Sequence, residues 1–309
     1  MNIVLIALLI IILLLPLSGF LAFVAAVVRL PNAPKKIGNA IAPYWAESVA
    51  GAAWFRAQAP ERISLRSYDG LKLTGYLLEA ETAKGTLLLL HGYRSDPWHD
   101  FGVIYEYFHS LGWNILTVNQ RAHGESEGKF ITYGTKERFD VRDWAKYLSG
   151  RFGTGHPIVL DGVSMGCSSV LMALGTALPE NVKGVIADCG FVSPYEELCH
   201  VAKNRLHLPV HPLLDLANFF SRRIAGFDFR DYSTLTALEQ NTRPVLFVHG
   251  ERDTFVPPEN SRRNYSACKA PKKLILVPEA GHGMSYLVER ENCQKEIEQF
   301  LRQFENIHT

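Results

Sequence analysis

Not one ionisable side chain occurs between Met1 and Val28, a stretch that is Leu/Ile-rich at first and Ala/Val-rich towards its end at Arg29. A soluble amphipathic helix needs a polar face, and this run has none. Long-range charge is also missing: 32 Lys+Arg stand against 31 Asp+Glu, a net of +1, which leaves no field for gathering nucleic acid or acidic partners. The 5 cysteines (Cys167, Cys189, Cys199, Cys268, Cys293) are odd in number and scattered. They form no CxxC pair or Cys/His cluster, so a disulfide scaffold and a cysteine metal site are both excluded. Neither an internal repeat nor a low-complexity tract follows the first run, and a hydrophobic content of 47% excludes disorder for most of the chain.

The 28-residue run would extend roughly 40 Å as a helix, beyond the roughly 30 Å of a bilayer core. A cleavable signal peptide would carry a basic n-region and a shorter apolar stretch, and this run has neither feature. The expectation is therefore a single-pass transmembrane anchor over residues 1–29. Arg29, Lys35 and Lys36 follow the run with no basic residue before it, so the positive-inside rule leans towards a cytoplasmic body, with the extracellular face left open. Residues 30–60 read as a connector, marked by Pro31, Pro34, Pro43 and Pro60, with Tyr44, Trp45, Trp54 and Phe55 placed either at a lipid interface or on the body.

From residue 61 onward short apolar runs alternate with helical spacing. Strands are expected near Ile63–Ser67, Leu71–Leu78, Thr86–Leu90, Trp113–Val118, Ile158–Leu160, Gly184–Ala187, Val245–Val248 and Leu274–Val277. Val141, Trp144, Ala145 and Leu148 fall on one helix face, as do Ile297, Phe300, Leu301 and Phe304. Such alternation predicts an α/β domain over 61–309, with a mostly parallel sheet and helices on both faces. Residues 191–242 break the pattern with two helix-like segments, which reads as a small helical cap inserted over a site.

The chemistry gathers at strand ends. Ile158 to Leu160 leads through Asp161 into Gly162-Val163-Ser164-Met165-Gly166 and then a helical run, a Gly-x-Ser-x-Gly between strand and helix. A serine on so sharp a turn takes a strained backbone, and side chains at Gly162 and Gly166 would collide across it. Such a serine needs a base, and the base an orienting acid. His282 leaves the last strand in Ala280-Gly281-His282-Gly283. Asp253, on the loop after the penultimate strand, is the first candidate acid, and Asp188, after the strand before the cap, the second. His91 and His249 end strands and read as structural, and His123 as a loop brace.

The order Ser164, Asp253, His282 is that of α/β hydrolases. With His91-Gly92-Tyr93, Gly162 to Gly166, Gly250-Glu251-Arg252-Asp253 and Gly281-His282, the chain from about residue 61 resembles the α/β-hydrolase superfamily, notably its serine aminopeptidase and monoacylglycerol-lipase-like branch. The fourth-strand loop departs from that branch at Asn119 and Ala122. The resemblance implies Ser164 as nucleophile, His282 as general base, Asp253 as its orienting acid, and the backbone amides of Tyr93 and Met165 as oxyanion hole. It implies a serine hydrolase for a small or lipid-like acyl ester, without metal or organic cofactor. A peptidase, thioesterase or acyltransferase on the same triad, or a non-catalytic binding protein on the same fold, are the alternatives.

Overall fold

The computed structural model of the chain describes residues 3–30 and 44–305, with side chains from residue 13 onward. Helices α1 (Ile3–Val27) and α2 (Trp45–Ala57) precede strands β1 (Glu61–Arg66), β2 (Lys72–Leu78) and β3 (Thr86–Leu90). Short helices α3 (Pro97–Phe101) and α4 (Tyr105–Ser110) lead to β4 (Asn114–Asn119), and α5 (Glu137–Phe152) to β5 (Ile158–Val163). Next come α6 (Met165–Ala173) and β6 (Val182–Asp188), then α7 (Pro194–His200), α8 (Leu213–Phe220) and α9 (Thr234–Leu238). The chain closes with β7 (Val245–Gly250), α10 (Glu259–Ala267), β8 (Lys272–Val277), α11 (Ser285–Val288) and α12 (Arg290–Arg302).

The strands form one eight-stranded sheet in the order β1-β2-β4-β3-β5-β6-β7-β8. β1 and β2 run antiparallel to their neighbours, and the rest pair in parallel. β3 is buried along its whole length, as its unbroken Thr-Leu-Leu-Leu-Leu requires of a strand covered on both faces. On one face Leu88, Leu90, Leu160 and Val185 pack against Val141, Trp144 and Leu148 of α5 and Val170 and Leu171 of α6. On the other, Leu87, Leu89, Val159, Ile186 and Leu246 pack against Ile297, Phe300 and Leu301 of α12 and against Phe55 of α2.

Two regions differ from the sequence reading. Residues 45–57, expected within a connector, form α2, and its Ser48, Ala52 and Phe55 are buried at i, i+4 and i+7. The fit is close: a Cβ on Gly51 would lie 1.9 Å from the Gly102 carbonyl oxygen. Residues 31–43 of that connector lie outside the described residues. The expected transmembrane span lies partly outside them too, since side chains 1–12 are not described, and among the described residues no helix is long and apolar enough to cross a membrane. Nor does α1 stand apart from the body. Phe23 and Val27 of α1 are buried against the cap and the loop before α5, and a Cβ on Gly19 would meet Leu216 Cβ of α8 at 2.2 Å. Backbone bonds from Arg29 N to Lys129 O (2.8 Å) and from Ile131 N to Val27 O (2.8 Å) fasten the end of that helix to the body. Apolarity marked residues 1–28 as one unit, but it did not show which of their faces meets protein.

The cap contains α7 and α8, each of which loosens into one wider π turn, Val201–Arg205 and Ser221–Ala225. Ser193 caps α7 by accepting a bond from Glu196 N, with Pro194 at the first helical position.

Candidate active site

Ser164 stands between β5 and α6 with φ +56° and ψ −118°, a region that costs a residue with a side chain about 1–3 kcal/mol. The glycines on either side are required by contact. A Cβ on Gly162 would lie 2.4 Å from the Gly166 carbonyl, and one on Gly166 would lie 1.9 Å from the Leu90 carbonyl oxygen. The turn is thus locked to the end of β3, and it directs the Ser164 hydroxyl out of the sheet at the start of α6, where the first amides have no intrahelical acceptor.

The three side chains singled out in the sequence meet there. His282 Nε2 lies 2.9 Å from Ser164 Oγ. Its Nδ1 lies 2.7 Å from Asp253 Oδ2. A carboxylate only accepts, so the proton sits on Nδ1, and Nε2 is left to accept from the hydroxyl. Asp253 is buried, and its Oδ1 accepts from the amides of Phe255 (2.8 Å) and Val256 (2.9 Å). Although burial opposes ionisation, bonds from His249 and His282 outweigh it and hold this carboxyl well below the ordinary range. His249, read as structural, braces the acid: its Nε2 lies 3.2 Å from Asp253 Oδ2, and its Nδ1 lies 2.6 Å from Ser261 Oγ. Asp188 ends the neighbouring strand without reaching the imidazole; its Oδ1 is buried with no partner.

Facing Ser164 is the loop after β3. A Cβ on Gly92 would be 3.3 Å from Ser164 Cβ. The amides on either side of Tyr93 are occupied, Gly92 N donating to Asp100 Oδ2 (2.6 Å) and Arg94 N to His123 Nε2 (2.9 Å). The Tyr93 amide between them donates to no acceptor among the described residues. Met165 stands at the first position of α6, where a backbone N–H has no intrahelical acceptor. Burial lowers His123 to about 4, so it stays neutral and able to accept from Arg94 N. His123 thus braces this loop, while Asp100 had no sequence signal: it lies in a short helix, and its partner is a backbone amide.

A cavity of about 550 Å³ opens beside Ser164 and His282. Its wall includes Phe101, Ile104, Ile186, Val248 and Ile297, with Tyr44 and Ser48 contributed by the segment expected to be a connector. Cys189, Asp253 and His282 also bring one potential ligand atom each within 4.8 Å of one another. Two of those atoms already bond each other, and burial pushes the Cys189 thiol away from the thiolate a metal requires. The cluster fits an acid–imidazole pair better than a cation.

Residues 87–292 match the model of the alpha/beta hydrolase family. The chain is 30% identical over 232 residues to the uncharacterized protein YqkD of Bacillus subtilis, covering 75% of this chain and 76% of that one. It is 24% identical over 224 residues to an uncharacterized membrane protein of Saccharomyces cerevisiae, covering 72% and 73%. Among solved structures, an esterase of Pyrococcus furiosus superposes with a TM-score of 0.65 at 24% identity over 88% of this chain and 97% of that one. An esterase of Exiguobacterium antarcticum gives 0.59 at 19% identity over 78% and 100%. At such identities the structural likeness speaks for the fold.

Proposed function

Because the chain belongs to the alpha/beta hydrolase family, we propose that it is a serine hydrolase that cleaves carboxylic esters through an acyl-enzyme. The observation that carries this reading is the continuous hydrogen-bond chain from Ser164 through His282 to Asp253. In the first step His282 Nε2 takes the Ser164 proton as Oγ adds to the ester carbonyl. The imidazolium so formed is held by Asp253, and the amides of Tyr93 and Met165 receive the oxyanion. Collapse expels the alcohol, which takes the proton from Nε2. Water then enters, gives a proton to Nε2 as it attacks the acyl carbonyl, and leaves as part of the carboxylic acid while Ser164 recovers its proton. Losing one oxyanion donor typically costs about 3–4 kcal/mol of transition-state stabilisation. The mainly apolar lining of the cavity supports an acyl chain as the part of the substrate that enters it. Purified wild-type chain should hydrolyse p-nitrophenyl esters, and Ser164→Ala should abolish this without altering the fold; full activity in the variant would refute the reading.

We further propose that α1 holds the protein at a membrane, as a single-pass anchor with the catalytic body on the cytoplasmic side. The charge-free run Met1–Val28 supports this, as does the exposure of Leu13, Leu14, Leu17 and Leu21 on α1 and of Phe219 and Ile224 on the cap beside it. The yeast relative is itself named a membrane protein. The body stays fastened to the helix by its Phe23 and Val27 contacts, which would bring the cap close to the lipid surface.

A further inference from the structure

Besides Asp100, which is occupied by the Gly92 amide, two acids that the hydrolytic scheme does not use break the apolar wall of the cavity beside Ser164. In the parallel pairing of β5 with β6, Asp161 lies opposite Ile186, and Val163 opposite Asp188. Side chains two apart on a strand share a face, so Asp161 and Asp188 stand one diagonal apart on the same side of the sheet. The rest of that face is Val159, Ile186, Leu246 and Val248. Both acids line the cavity. Asp161 is 5% exposed, and it enters no ion pair or side-chain bond among the described residues; its one favourable contact is the Gly162 amide. Asp188 Oδ1 is buried without a partner. Asp188 has the imidazoles of His249 and His282 and the Cys189 thiol as neighbours, and no lysine or arginine pairs with either acid among the described residues. Asp161 thus has the Gly162 amide alone, and Asp188 has the Cys189 thiol with its Oδ1 left unmet; buried carboxyls so short of donors are unfavourable in an apolar wall, and a ligand bringing N–H donors into the cavity would relieve both.

We propose that Asp161 and Asp188 bind an ammonium group of the substrate, so that the enzyme selects acyl esters carrying one amine on the part that enters the cavity. This rests on the reading of Ser164 as an ester hydrolase and names the substrate class of that same site. A primary ammonium has three N–H donors, enough to meet Asp161, Asp188 Oδ1 and one further acceptor. The charge is matched as well. Burial, reinforced by Asp188, raises Asp161 well above the ordinary range, while burial lifts Asp188 to about 6. Negative charge in this wall is therefore poorly solvated, and an ammonium would stabilise it where a carboxylate would oppose it.

Calorimetric titration of the full chain in detergent with n-butylammonium, n-butanol and n-butyrate tests the proposal, on both wild type and Ser164→Ala. Butylammonium is expected to bind most tightly and butyrate least. In Asp161→Asn and in Asp188→Asn its affinity should fall by about tenfold or more, the scale of losing one partner of a buried charge pair. The same fall should appear in the kcat/KM ratio of the p-nitrophenyl esters of 6-aminohexanoate and heptanoate. Butylammonium binding no tighter than butanol in the wild-type chain overturns the proposal whether or not the variants fold. So does binding that neither Asn substitution weakens. Because Ser164→Ala binds without turning over, ammonium binding in a chain that cleaves no ester would sink the hydrolase reading alone, and ester cleavage without ammonium preference would sink this inference alone.

Discussion

Replacing Asp253 by Asn exchanges one carboxylate oxygen for an NH₂ group, and the surrounding contacts decide where that group must sit. Oδ1 accepts from the amides of Phe255 and Val256, and an asparagine can keep both bonds only by placing its carbonyl oxygen there. Its NH₂ must then face His282 Nδ1, now 2.7 Å from Oδ2. A donor in that place forces Nδ1 to accept, which moves the imidazole proton to Nε2. The 2.9 Å contact with Ser164 Oγ then presents a donor to the hydroxyl instead of a base. His249 keeps its bond to the Val256 carbonyl, so the loop should hold its shape. Reversal of an imidazole tautomer in a triad lowers turnover by roughly 10,000-fold, about 5 kcal/mol of activation free energy. The assay is kcat/KM on a p-nitrophenyl ester, with circular dichroism and thermal melting to show that Asp253→Asn stays folded. Activity within tenfold of wild type, alongside a collapse in Asp188→Asn, would refute the reasoning and make Asp188 the orienting acid.

Glu197, buried in the cap with its Oε1 unpartnered, is raised by burial from 4.5 to about 8. The folded chain thus holds this proton where the unfolded chain has released it, so stability falls as pH climbs through that window, by up to about 1.4 kcal/mol per unit. Glu197→Gln should remove this slope, and a melting-temperature difference between variant and wild type that stays constant from pH 5 to pH 8 would contradict it. Gly51→Ala would drive a methyl into the Gly102 carbonyl and should destabilise the chain by about 1–3 kcal/mol while raising KM, since α2 carries Ser48 into the cavity wall; an unchanged melt and KM would mean that α2 does not dock. Phe219→Asp with Ile224→Asp should lower the fraction of protein floating with liposomes of phosphatidylcholine and phosphatidylglycerol once residues 1–12 are removed, and equal flotation would separate the cap from the membrane.

Strands and elbow were legible in the sequence for physical reasons. β3 and the first three residues of β5 read as apolar runs because both faces are covered there, and Gly162 and Gly166 announced the turn because backbone from two elements crosses there. His282 and Asp253 could be ordered along the chain, but their meeting with Ser164 is a tertiary fact. What escaped was held by contacts rather than by periodicity. α2 is Ala-rich and flanked by prolines, so its buried Ser48, Ala52 and Phe55 gave little amphipathic contrast. Asp100 holds the Tyr93 loop through a backbone amide, which no side-chain pattern records, whereas His123, bonded to the same loop, was legible as a brace. α1 read as lipid-facing throughout, yet Phe23 faces protein, and hydrophobicity alone does not distinguish the two.

Mass analysis of the chain quenched during turnover of a slow p-nitrophenyl ester tests the central claim most directly. The predicted result is one acyl group on the peptide that contains Ser164, accumulating in step with the burst of p-nitrophenol and absent from Ser164→Ala. Steady hydrolysis with Ser164 unmodified, or with the acyl group on another side chain, would contradict it.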